Sequence, residues 1–255
     1  GVDLLSSLGV RAFKVGSDDL VYNPLIEYIS KKNKPMIISA GMASEEDIDR
    51  AVNLILSQGN TDICILHCRS IYPTPPDKLN LRQISSLADK YNFPIGFSDH
   101  SEGIVAALGA VALGSAVIEK HFTLDKSLPG PDHHFSMDFD ELKMLVAQIR
   151  NLEAGLGDGI IGPTQAELEM RITARRSIVA KENFVIGDII TEEKLSYRRP
   201  GSGLMPYELN KIKGKTHKSR FFKLKYGLNK IYSPYLSVKK ILISFSSNPS
   251  LNFSF

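Results

Sequence analysis

Five short apolar runs punctuate the first 160 residues: Ala12–Val15, Met36–Ser39, Ile63–His67, Ile95–Ser98 and Val117–Lys120. Each is nearly continuous in apolar or β-branched residues, as strands covered on both faces are. Stretches of helical period lie between them. Ser44-Glu-Glu-Asp47 has the pattern of a capping box opening Ile48–Leu56, Leu81–Tyr91 follows a Pro-rich loop, and Gly103–Leu113 is small and apolar. Asp138 is placed to cap Glu141–Leu152. A βα beat repeated five times predicts an α/β fold, a parallel sheet with crossover helices. No Gly-x-Gly-x-x-Gly follows any run, so a dinucleotide fold has no support. A full (β/α)8 barrel takes about 250 residues. Five units within residues 1–157 therefore imply either an open sheet or part of a barrel.

Gly155–Pro163 (GLGDGIIGP) is the best candidate for a domain boundary, and Thr164-Gln-Ala-Glu167 then starts a short helix, so residues 158–175 read as a linker. From Arg176 the rhythm changes to short strands and turns: Ser177–Ala180, Gly187-Asp188, Ile189–Thr191 and Leu195–Pro200, a small module over residues 176–219. Residues 220–255 differ again, with six Lys/Arg, no Asp or Glu and no helical period; they read as an atypical tail. The net charge of +3 thus hides a mildly acidic body, −3 over residues 1–219. A nucleic-acid binder carries its basic patch on the folded domain, so nucleic acid is not an expected partner. No run of 18 apolar residues suits a membrane span, and the first residues lack the pattern of a signal peptide. Cys64 and Cys68 lie four apart in one apolar run, about 13 Å if extended, too far for a disulfide. They read as reduced core residues of a cytoplasmic protein.

Polar residues collect just after the strands: Gly16-Ser17, Ser39-Ala-Gly41, His67–Ser70, Ser98-Asp-His100 and His121. In parallel α/β sheets that end carries the chemistry. His100 and His121 follow consecutive strands. Two such imidazoles suit a divalent metal completed by a carboxylate or waters, although the spacing alone also fits two unrelated polar caps. Lys14, beside Gly16 and Ser17, suits anion capture by an ammonium and backbone N–H groups. Ser39, Ser70 and Ser98 recur at equivalent strand ends, and a ring of hydroxyls with one lysine suits a phosphate. His67, inside an apolar run, reads as a hydrogen-bonded core residue. His133 and His134 read as solvated or substrate-facing loop residues.

These residues fall in motifs: Lys14-Val-Gly-Ser17, Ile38-Ser-Ala-Gly-Met42, Leu66-His-Cys68, Ile71-Tyr-Pro-Thr-Pro75, Gly96-Phe-Ser-Asp-His100, Ile118-Glu-Lys-His-Phe-Thr123 and Pro129-Gly-Pro-Asp132. In order and spacing they resemble the N-acetylneuraminate (sialic acid) synthases, a family that includes legionaminate, pseudaminate and spore-coat polysaccharide synthases. The resemblance extends over residues 1–219. It implies a (β/α)8 barrel followed by a small antifreeze-like (SAF) domain, here residues 176–219 with Tyr197-Arg-Arg-Pro-Gly-Ser-Gly203.

The implied reaction condenses phosphoenolpyruvate with an open-chain N-acetylated hexosamine, giving a nine-carbon 2-keto acid and phosphate. His100 and His121 match the metal-binding histidines, with Mn²⁺ or Mg²⁺ as the implied cofactor, and Glu119 joins them as a candidate catalytic residue. Lys14, Ser17, Ser39 and Ser98 match phosphoenolpyruvate-binding positions. Ser70 stands where the family often has Asn. Tyr72 and Asp132 match sugar-side residues. Arg199 matches the antifreeze-like arginine that reaches a partner subunit's site, which implies a domain-swapped homodimer. The family's first three barrel strands have no counterpart, and Gly1–Gly9 resembles the third barrel helix, so an N-terminally truncated and inactive chain is expected. A different phosphoenolpyruvate-dependent 2-keto acid synthase, or an inert carbohydrate-binding fragment, are the alternatives.

Overall fold

The structure is a computed structural model that describes residues 1–199 and 203–217. By internal contacts the chain divides into two units, residues 1–160 and 161–255.

In the first unit, strands β1 (Phe13–Val15), β2 (Met36–Ser39), β3 (Ile63–Cys68), β4 (Ile95–Asp99) and β5 (Val117–Lys120) form one sheet in the order β1-β2-β3-β4-β5. Every neighbouring pair is parallel. The order never reverses, unlike that of a doubly wound sheet. The helices are α1 (Val2–Ser7), α2 (Asn23–Ser30), α3 (Glu45–Ser57), α4 (Gln83–Lys90), α5 (Val105–Ala112) and α6 (Phe139–Leu156).

Strand periodicity and register assign the two faces. Phe13, Val15, Met36, Ile38, Ile63, Ile65, Ile95 and Phe97 share one face and form the core with Ile26, Ile29, Ile48, Ile55, Ile84 and Leu87 of the helices. Lys14, Ser39, Cys68, Ser98 and Glu119 alternate onto the other. Five strands spaced about 4.8 Å apart place the outer two about 19 Å from each other in a flat sheet. Yet Lys14 Nζ on β1 lies 3.5 Å from Glu119 Oε2 on β5. The sheet is therefore curled, with Lys14 and Glu119 meeting across its concave side, as in part of a barrel.

Side-chain caps set several boundaries. Ser44 and Asp138 each form a capping box, with Asp47 and Glu141 respectively, at the starts of α3 and α6. Some elements depart from the expected limits. β3 includes Cys68, and α6 runs on to Leu156 rather than ending at Leu152. Helix α5 starts only at Val105, because Gly103 adopts φ +72°. Helix α2 was not anticipated. It has no side-chain cap, and its start is set by Pro24 in the first turn and by burial of Ile26 and Ile29.

The second unit holds α7 (Gln165–Ala174), capped by Thr164, and an antiparallel pair, β6 (Ser177–Ala180) and β7 (Leu195–Arg198). Ile178, Phe184, Ile190, Leu195, Leu204 and Ile212 form its core. Of the expected strand Ile189–Thr191, only Ile189 pairs, in a single bridge with Thr216. The atypical tail over residues 220–255, and Pro200 to Ser202 of the arginine motif, lie outside the described residues.

Candidate active site

The C-terminal ends of the five strands converge on one polar mouth. Parity in β4 and β5 places Ser98 beside Glu119, and Ser98 Oγ donates to Glu119 Oε1 at 2.6 Å. The other carboxylate oxygen of Glu119 faces the Lys14 ammonium, whose Nζ also donates to the Val15 carbonyl at 3.1 Å. Lysine, glutamate and serine thus form a chain from one edge strand to the other.

Between them the backbone comes close. Gly41 N donates to Ser17 Oγ at 3.0 Å, and Ser17 Oγ donates to Cys68 Sγ at 3.6 Å. A Cβ on Gly41 would lie 2.4 Å from Ser70 Oγ and 2.5 Å from Ser17 Oγ, so only glycine fits between the two hydroxyls. Ser39 Oγ and Ser70 Oγ are buried without a well-formed hydrogen bond. Buried hydroxyls in that state carry a desolvation cost until something bonds them. Together with Lys14 they make a cradle of donors suited to an anion.

His100 and His121 sit at the rim, ring centroids 5.2 Å apart and edge-on. His100 Nδ1 lies 2.7 Å from the Arg69 carbonyl. A carbonyl only accepts, so Nδ1 carries the proton and Nε2 keeps its lone pair, the arrangement that second-shell bonds give to metal-ligating histidines. Burial lowers the affinity of His100 for a second proton, but Cys68 Sγ at 4.0 Å and the Arg69 carbonyl outweigh it, and its pKa is raised. Cys68 answers in the opposite sense: burial pushes its thiol up, while His100, Ser17 and Ser98 bring it below the ordinary value. His121 is lowered by burial and by the neighbouring His100, against the pull of Asp132. Asp132 Oδ2 stands 3.8 Å from His121 Nδ1.

Tyr72 lies over His100 at 4.2 Å and also faces His121 and the buried Phe135. The expected site residues Lys14, Ser17, Ser98, Glu119, His100, His121, Tyr72 and Asp132 are thus linked through direct contacts within the first unit, with Ser39 and Ser70 at the same strand ends. Arg199 lies in the second unit, exposed, directly after β7. His67 stacks on Phe97 on the opposite face of the sheet and bonds the Leu79 carbonyl at 2.9 Å, a core residue as expected. His133 is not simply solvated: its Nδ1 pairs with Thr123 Oγ1 at 2.7 Å.

Cys68 is the reduced, buried residue expected, and it also borders both Ser17 and His100 at the site. The signal was available in the period of two, which puts Cys68 on the face of Ser98 and opposite to His67.

Among the described residues, no three His, Cys, Asp or Glu side chains are grouped to hold a metal ion. The donor set for a divalent ion is instead two imidazoles, one with its Nε2 held free by a backbone bond. That fits an ion whose remaining positions belong to water or substrate oxygens.

Comparison with known proteins gives the chain a family. Residues 1–161 match the NeuB family. An uncharacterized protein of Methanocaldococcus jannaschii is 46% identical over 203 residues, covering 80% of this chain and 60% of that protein. The N,N'-diacetyllegionaminic acid synthase of Campylobacter jejuni is 43% identical over 223 residues, covering 85% of this chain and 67% of the synthase. The crystal structure of an N-acetylneuraminic acid synthetase from Leptospira borgpetersenii, in complex with citrate, superposes with TM-score 0.63 at 37% identity, over 66% of this chain and 59% of that one. The chain spans roughly three fifths to two thirds of the length of these relatives. With a family match over the whole of the first unit, relatives of this identity and a sheet of the same build, the chain belongs to the NeuB family.

Proposed function

We propose that the complete protein condenses phosphoenolpyruvate with an N-acetylated hexosamine, such as N-acetylmannosamine or a bacterial analogue, to give a sialic-type nonulosonic acid and phosphate. The observation that carries this reading is the juxtaposition at one mouth of the anion cradle, the Lys14–Glu119–Ser98 chain and the His100–His121 pair. Condensation of an enol phosphate with an aldehyde needs both halves: a place for a phosphorylated, carboxylated donor and a place to activate the aldehyde.

Lys14 and the hydroxyls of Ser17, Ser39, Ser70 and Ser98 bind the anionic groups of phosphoenolpyruvate, by charge and by donors of which those of Ser39 and Ser70 have no formed hydrogen bond. His100 and His121 hold the divalent ion, Mn²⁺ or Mg²⁺, which when bound supplies Lewis-acid polarisation of the sugar aldehyde. Carbon 3 of phosphoenolpyruvate then bonds to the aldehyde carbon, whose oxygen takes up a proton and becomes a hydroxyl, and water adds at carbon 2. Glu119, its orientation fixed by Ser98 and Lys14, accepts the proton that this water sheds. Phosphate leaves as the carbon 2 ketone forms. Tyr72 and Asp132, beside the two histidines, orient the sugar. The second unit is an antifreeze-like domain in this reading. Its Arg199 reaches the acetamido group in a partner's site, because a guanidinium offers several fixed donors to a carbonyl and hydroxyls.

The test is phosphate release by a chain completed with three preceding βα units. Release that requires phosphoenolpyruvate, a divalent ion and an N-acetylhexosamine together supports the reading. Equal turnover with an aldose phosphate lacking the acetamido group overturns it in favour of a different 2-keto acid synthase.

A further inference from the structure

The concave face of β4 and β5 is used by the site, but the convex face carries an ion pair that the reaction leaves idle. Asp99 and Lys120 are register partners on adjacent strands. Their carboxylate and ammonium side chains are 0% and 5% exposed, with Oδ2 and Nζ 2.9 Å apart. Asp99 Oδ1 accepts from Ser101 N at 2.8 Å and from Ser101 Oγ at 2.6 Å, while Lys120 Nζ also donates to the Ser101 carbonyl. Two charges removed from water in this way cost more than their attraction returns unless every remaining bond is made. Here Asp99 meets three donors and Lys120 two acceptors, and the bonds to Ser101 bracket the residue between Asp99 and Ser101, which is His100.

We infer that Asp99 and Lys120 are positioning residues that fix the backbone from which both imidazoles project. Each stands immediately before a rim histidine, so one cross-strand pair sets the spacing and direction of the two. The backbone carbonyls of the histidines are held independently, that of His100 by Thr74 N at 2.9 Å and that of His121 by Met137 N at 2.9 Å. With the carbonyls pinned and the preceding side chains clamped, rotation of either histidine's Cα–Cβ vector is restrained from both sides. The Arg69 carbonyl then meets Nδ1 rather than Nε2 of His100, leaving the outward nitrogen free. A hydrophobic pair of equal volume would pack the convex face as well, but would leave the turn at Ser101 without its ammonium and carboxylate partners.

The inference rests on the proposed metal reading for its consequence, and the test separates the two. Asp99→Asn with Lys120→Met keeps volume and removes both charges together, avoiding one stranded ion. Two readouts apply to the full chain. Long-range ¹⁵N spectra at alkaline pH report the His100 tautomer without metal, and loss of the free Mn²⁺ electron-spin resonance signal reports metal affinity. The expected result is a single Nδ1–H tautomer in the parent and a tautomer mixture in the double variant. Mn²⁺ affinity should fall tenfold or more, the scale seen when outer partners of ligands are removed, with an unchanged far-ultraviolet circular dichroism spectrum. A folded double variant with the parent tautomer overturns the inference. A parent that shows the single tautomer but does not bind Mn²⁺ overturns the metal reading and leaves the tautomer comparison to decide the positioning role. If the double variant does not fold, Asp99→Asn decides. That change keeps the shape and an oxygen for Ser101 but removes the charge that holds Lys120, so a shifted tautomer supports the inference and an unshifted one overturns it.

Discussion

Gly41 shows how much of the mouth depends on a missing side chain. Its amide serves Ser17, and the space a methyl would take is already held by two hydroxyl oxygens. Gly41→Ala must push Ser70 or Ser17 aside, an overpacking cost of about 1–3 kcal/mol. At about 2–4 °C per kcal/mol for a unit of this size, melting should fall by several degrees. Affinity for phosphoenolpyruvate in the completed enzyme should fall more than that loss suggests, because the cradle's donors move. Calorimetric melting and titration with phosphoenolpyruvate check both. An unshifted melting temperature would mean that the hydroxyls yield freely.

At the scale of elements, the strands were the most legible part. Runs such as Met36–Ser39 and Val117–Lys120 stand out because a strand buried on its helix-facing side tolerates few polar residues, and both match the structure residue for residue. The capped helices were legible for a local reason as well, since Ser44, Asp138 and Thr164 announce themselves beside an acid three residues later. Helix α2 lacks any such signal and owes its existence to tertiary burial. At the site, strand-end position was enough to group Lys14 with Ser17, Ser39 and Ser98, whereas Glu119 entered only with the family resemblance. The Asp99–Lys120 clamp was not legible, because a charged residue at the end of each of two strand runs reads as solvated until its burial is known.

His67 on β3 gives an element-scale prediction. Burial lowers its pKa below the ordinary value, against a smaller raising effect of the Leu79 carbonyl. The unfolded chain therefore binds a proton on this residue at a pH where the folded chain does not. Stability contributed by neutral His67 is intact above about pH 6.5 and declines as pH falls from there toward the depressed folded value. Denaturant midpoints at pH 7.5 and 5.5 should differ in that sense. In His67→Gln, which keeps a donor for Leu79, the difference should shrink; an equal difference would place the titration elsewhere.

At the scale of the molecule, β1 and β5 each have a strand neighbour on one side only among the described residues. An unpaired edge beside apolar helices invites association. Leu4 of α1, Leu8 just after it and Phe139 of α6 are 63%, 70% and 70% exposed. Residues 1–255 alone should therefore self-associate in light scattering and release no phosphate from phosphoenolpyruvate; a monodisperse, active preparation would contradict both. Within a completed protein, the proposed swap of Arg199 predicts complementation. Arg199→Ala and His100→Ala variants, each inactive, should regain activity when mixed, at the one site that combines an intact barrel with an intact arginine. Subunit exchange without recovered activity would confine the arginine to its own chain.

The clasp between Lys14 and Glu119 bears on the order in which this sheet assembles. Each strand pairs with the next in sequence, so the sheet can zip up through contacts of modest separation. The clasp ties the first strand to the fifth across the others. Closing the larger loop costs more chain entropy, and its reward arrives only after β2, β3 and β4 are in place. The contact therefore belongs to the downhill side of the folding barrier. Weakening it, as in Lys14→Met, should quicken unfolding while leaving the refolding limb of the chevron where it was. The same residue that waits at the mouth for an anion is then also the last latch to engage as the sheet curls and the first to let go.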